Sequence, residues 1–95
     1  MATVVGLLHL SLHVADAMTL KDKRRRVKSF KDRVAHRFNV SVAEVGNLDA
    51  IRSAELAVAM VANDRRFVEG TLQRIENAAA THREMVLVGS DIEWL

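Results

Sequence analysis

Residues 19–38 read Thr-Leu-Lys-Asp-Lys-Arg-Arg-Arg-Val-Lys-Ser-Phe-Lys-Asp-Arg-Val-Ala-His-Arg-Phe, and the period of this stretch decides the fold. Leu20, Val27, Phe30, Val34 and Phe38 recur at helical spacing along one stripe, which predicts a helix from Leu20 to Phe38. Thr19 followed three residues later by Asp22 is a capping-box start with Asp in place of Glu or Gln. Asn39 is placed to end the helix in a left-handed conformation.

Outward from the helix the period changes to two. In Val4 to Val14, Leu8, Leu10, Leu12 and Val14 fall on one side and Leu7, His9, Ser11 and His13 on the other, as in a strand with one committed core face. Ala15 to Met18 connects this strand to the helix. Val40 to Gly46 reads as a second strand, Asn47 to Arg52 as a loop, and Ser53 to Ala62 as a third strand with Leu56, Val58 and Met60 inward. Asn63 or Asp64 can cap a second helix over Arg65 to Thr81, striped by Val68, Leu72, Ile75 and Ala79. Met85 to Trp94 completes a fourth strand.

The order strand, helix, strand, strand, helix, strand predicts an α+β protein of ferredoxin-like βαββαβ type. Its four-stranded antiparallel sheet carries two helices on one face and leaves the other face open. Ninety-five residues without proline or a low-complexity linker are expected to form a single domain, 1–95. A hydrophobic share of 49% and a charged share of 27% are those of a chain with a packed core.

The absence of cysteine excludes disulfides, thiolate nucleophiles and cysteine-ligated metals. Met1 to Val14 has no charged leader or small-residue cleavage site. Its apolar run is broken by Gly6, His9, Ser11 and His13, so neither a signal peptide nor a membrane span is expected and the expected location is cytoplasmic.

Charge is strongly polarised. Lys21 to Arg37 holds nine basic residues against Asp22 and Asp32, a local net of +7 in a chain whose formal total is +2. Lys21, Lys23 and Arg24 lie at the helix start, where each positive charge opposes the helix dipole at a cost of roughly 0.3–1 kcal/mol. Helix N-termini also present unpaired N–H groups that bind phosphate. The expected nucleic-acid-binding set is therefore Lys21, Lys23 and Arg24, extended along the helix by Arg25, Lys28 and Lys31. The competing reading is that these are solvated charges, with Lys23 laying its methylene stem along the apolar stripe.

Three stretches carry a family resemblance: Thr-Leu-Lys-Asp-Lys-Arg at residues 19–24, Phe-Asn-Val-Ser-Val-Ala-Glu-Val at residues 38–45, and Asn63-Asp64. Together they resemble the YlxP-like family of small bacterial proteins, a domain of unknown function, over essentially the whole chain. The resemblance implies a ferredoxin-like fold and a gene neighbourhood of translation-initiation and ribosome-maturation genes. After Asp49, where the family pattern leads to an expected Trp in the loop between the middle strands, this chain has Ile51.

Catalytic and metal readings find little support. His9 and His13, four residues apart on a strand, are separated by roughly 13 Å, too far to share one ion. Ala15-Asp16-Ala17-Met18 has neither the glycine nor the arginine of an acylphosphatase-type phosphate loop, and Glu44, Asp49 and Glu55 form no acid–base pair. His36 and His82 fall near helix ends, where a dipole contact accounts for them. With 4% aromatic residues and no Tyr, and with Phe30, Phe38 and Phe67 assigned to helices and the core, RNA contact is expected to be electrostatic and shape-based rather than base-stacking.

The expectation is a non-enzymatic protein, without cofactor or metal, that binds ribosomal RNA or ribosomal subunits through its first helix. The alternative is a homodimeric or protein-interaction module using the open sheet face, where Leu7, Ala57, Ala59 and Val61 lie beside His9, Ser11 and His13.

Overall fold

The segments of period two pair into one antiparallel sheet in a computed structural model that describes residues 2–95. β1 (Val4–His13) lies centrally, paired on one side with β3 (Ser53–Ala62) and on the other with β4 (Val86–Trp94), while β2 (Ser41–Gly46) pairs with the far edge of β3. The strand order β2-β3-β1-β4, with α1 (Leu20–Arg37) and α2 (Arg65–Ala80) as crossovers, is the ferredoxin-like arrangement.

Register explains which face is covered. Leu8 faces Val58, Leu10 faces Leu56 and Leu12 faces Ala54 across β1 and β3, and all six are buried. Above them lie Val27, Phe30 and Val34 of α1, and Val68, Leu72, Ile75 and Ala79 of α2. α2 therefore buries the stripe that its sequence period announces, and α1 buries the middle of its own, Leu20 staying half-buried outside the core. Gly6 sets how closely α2 can approach: a Cβ there would stand 2.8 Å from Val68 Cγ1 and 2.9 Å from Leu72 Cδ1.

Several details differ from the sequence reading, among them β1, which ends at His13 rather than Val14. The first helix ends at Arg37, with Phe38 extended at its C-cap, and the second ends at Ala80. β2 and β4 each begin one residue later than expected. Asn39 is not left-handed; the positive φ among non-glycine residues falls on Asn47, at 57°, where the chain leaves β2. Phe38 lies beyond the helix and only partly inside the core, its N–H closing on Val34 O at 2.9 Å. Phe67 is no core residue: it is 58% exposed, one position before the buried Val68. Among the described residues, no helix is long and apolar enough to cross a membrane.

Candidate nucleic-acid interface

The start of α1 forms one half of the expected capping box, the reciprocal carboxylate contact falling on Met18 N–H instead of Thr19 N–H. Thr19 is extended, and its Oγ1 accepts from the Asp22 N–H at 3.0 Å. The Asp22 carboxylate lies 3.4 Å from the Met18 N–H and accepts from Arg25 at 2.7 Å and Arg26 at 3.2 Å. The hydrogen bond from Arg25 is the main reason its pKa falls below the ordinary 3.8, and the backbone N–H of Met18 and the nearby guanidinium charges act in the same direction against partial burial. A carboxylate of the chain thus already sits at the positive end of the helix dipole.

Lys23 must be removed from the predicted contact set. Its side chain is fully buried, and its Nζ lies 2.9 Å from Glu44 Oε2, 2.9 Å from Asn47 O, 3.2 Å from Ser53 O and 3.4 Å from Leu48 O. Three ammonium protons are shared among four acceptors, leaving none for an external phosphate. Position 23 falls on the same helix face as Val27, Phe30 and Val34, so the helix itself carries the ammonium inward. There it ties α1 to β2 and to the loop 47–52. The two longer stretches of family resemblance, 19–24 and 38–45, meet at this Lys23–Glu44 pair.

The other expected contacts stay at the surface. Lys21, Arg24, Arg25 and Lys28 gather with Thr19 and Asp22 around one shallow hollow on the outer side of α1. Lys31, one turn further on and half-buried, lies outside that hollow. Among the described residues, Lys21, Arg24, Lys31, Arg33 and Arg37 have no carboxylate within ion-pairing distance.

Arg25 pairs with Asp22, and Lys28 pairs with Asp32 at 2.6 Å, but these cations remain 70% and 73% exposed. Exposed pairs of this kind contribute roughly 0.2–1 kcal/mol, so a phosphate can replace the carboxylate at little cost. Arg26 is different: only 12% exposed, it is held between Asp22 and Glu84. Its Nε lies 3.4 Å from Glu84 Oε2 but lacks hydrogen-bond alignment.

Sequence order gives no sign of a second cationic feature. Arg33 and Arg37 of α1 face Arg74 of α2 and Arg83 of the following turn across the gap between the helices. His82 stands in that gap, its ring edge-on to Phe30 at 5.6 Å and its Nε2 3.4 Å from an Arg33 amine. Burial chiefly, and Arg33 in addition, lower its pKa below the ordinary 6.5, with Glu84 opposing.

The open sheet face holds the residues expected of it. Leu7 is opposite Ala59 and Glu93, His9 opposite Ala57 and Asp91, and Ser11 opposite Glu55, to whose carboxylate its hydroxyl donates at 2.6 Å. His9 Nε2 lies 3.5 Å from Glu93. Among the described residues, no strand contains Lys or Arg.

Fold and surface together define a ferredoxin-like α+β protein with a cationic helical layer and a sheet whose charged residues are acidic. The chain belongs to the family of proteins of unknown function DUF503, whose model matches residues 5–92. It is 33% identical over 91 residues to the uncharacterized protein YlxP of Bacillus subtilis (strain 168), covering 96% of this chain and 99% of that relative.

Proposed function

We propose that this protein is a non-enzymatic RNA- or ribosome-associated binding protein, acting as an accessory factor in ribosome maturation, that contacts the phosphate backbone through the exposed side of α1. One observation carries the reading: the helix is dense in cations, yet the fold's own carboxylates withdraw only Lys23 and Arg26 from the surface. Lys21, Arg24, Arg25, Lys28 and Lys31 remain available. Their mutual repulsion is relieved when a polyanion docks and its counterions are released.

Co-sedimentation with ribosomal subunits at several salt concentrations tests this. If all five side chains meet phosphates, log affinity falls against log salt with a slope of about −3.5 to −4.5. Reversing Lys21, Arg24, Arg25 and Lys28 to Glu abolishes the association. A salt-independent response, or full binding by the reversed variant, refutes the reading.

The exposed Val61, with Leu7, Ala57 and Ala59 on the same sheet face, supports the second reading, a homodimer or protein-binding module. Under that reading, bulky residues at Ala57 and Ala59 do the damage and charge reversal on α1 does not. Light scattering at micromolar concentration that returns only the monomer mass counts against self-association.

A further inference from the structure

The groove between α1 and α2, about 830 Å3 in volume, has the size of a small-ligand site. Its floor is apolar, made by Phe30, Val34, Phe38 and Ala78, and its rim carries Arg33, Arg37, Arg74 and Arg83. Glu84 is the one carboxylate among the lining residues, and Arg26 already draws on it at 3.4 Å. The groove is thus both strongly cationic and partly greasy, which suits an anion with a flat apolar body.

Hydrogen bonding at His82 locates the anion. Its Nδ1 accepts from the Glu84 backbone N–H at 3.0 Å, so the neutral ring carries its proton on Nε2. That Nε2–H faces an amine of Arg33, a group that can only donate, at 3.4 Å. Two donors side by side cannot satisfy one another, whereas an oxyanion seated between them accepts from both.

We infer that this groove seats one unpaired nucleotide of the RNA partner, its phosphate bridging Arg33 and His82 and its base covering the Phe30–Phe38 floor. The inference rests on the RNA reading of α1 and deepens it. Arg33 lines both this groove and a second surface hollow on α1, shared with Arg25, Lys28, Asp32 and His36. A phosphate chain on the outer side of α1 therefore continues along Arg25, Lys28 and Arg33 into the groove, past an Asp32 carboxylate that Lys28 pairs. An acidic peptide matches the rim, but it supplies a planar apolar group only where its sequence happens to, whereas every nucleotide joins one to a phosphate.

The test compares a single-stranded RNA hexamer, an RNA duplex of equal total charge, and hexaglutamate, with the His82 imidazole followed by NMR titration. The wild-type protein is expected to prefer the single strand by about tenfold. The His82 pKa rises on binding, because the added phosphate outweighs the Arg33 charge that faces the ring.

Ala78→Trp fills the groove without altering any charge, and is expected to erase the single-strand preference while leaving duplex binding. Should this variant fail to fold, the His82 titration of the wild-type chain decides alone. RNA binding with no preference and an unmoved His82 overturns the groove site but leaves the α1 reading standing. Absence of binding to either RNA overturns both, and hexaglutamate raising the His82 pKa as far as RNA does overturns the nucleotide assignment.

Discussion

Lys23 separates two roles that look identical in a list of basic residues. Its ammonium is enclosed by a carboxylate and three carbonyls, so Lys23→Met leaves Glu44 without its ion pair and those carbonyls without a donor. Breaking one side of a buried pair costs about 3–5 kcal/mol, and because Glu44 keeps 13% exposure the lower end is expected in urea unfolding. Where Lys23→Met remains folded, its RNA salt slope matches the wild type. Lys21→Ala and Arg24→Ala leave stability nearly unchanged and flatten the slope by about one contact each. The inward position of residue 23 was legible, since it lies four residues before Val27 and seven before Phe30. Its partner was not, because Glu44 and the loop carbonyls are 21 to 30 residues away and only the sheet register brings them under the helix.

Elements were easier to read than residues, because burial repeats along an element while an individual contact does not. Both helix stripes and all four strands follow from apolar spacing, and the Thr19 and Asp64 caps from local chemistry. Phe67 lies outside the core despite its large aromatic ring, because α2 turns it outward one position before Val68. The groove was illegible because Arg33 and Arg37 are some forty residues from Arg74 and nearly fifty from Arg83, and none of the four belongs to a local motif. At the start of α1, the lowered pKa of Asp22 has a defined consequence. Its contribution is complete above the unfolded value near 3.8 and is lost as pH falls through the lower folded value. Helical circular dichroism is therefore expected to decline below that pH, and Asp22→Asn should remove this dependence while weakening the helix start at neutral pH. Where α2 crosses β1, Gly6→Ala forces Val68 and Leu72 aside and is expected to cost about 1–3 kcal/mol in thermal unfolding.

Across the whole molecule the two layers differ in sign. Twelve of the fourteen Lys and Arg residues lie in the helices, and the other two, Arg52 and Arg83, lie in connections. Among the described residues the sheet contributes Glu44, Glu55, Asp91 and Glu93 and no basic residue apart from His9 and His13. A modest net charge of +2 therefore conceals a two-faced field that attracts a polyanion to the helices and repels it from the open sheet. That polarity makes the orientation of binding a sharper test than affinity. With RNA bound, amide signals are expected to shift along α1, on the facing side of α2 and at residues 82–84, while those of Leu7, His9, Ala57 and Ala59 stay in place. Val61→Glu, which adds a charge to the open face, should leave RNA affinity unchanged at 150 mM salt, where the Debye length of about 8 Å screens it from the helical layer. Shifts concentrated on β1 and β3 would instead mean that the partner approaches the acidic side, against the field of the molecule. An attractive contact there would have to come from apolar burial on the open face rather than from the cations of α1.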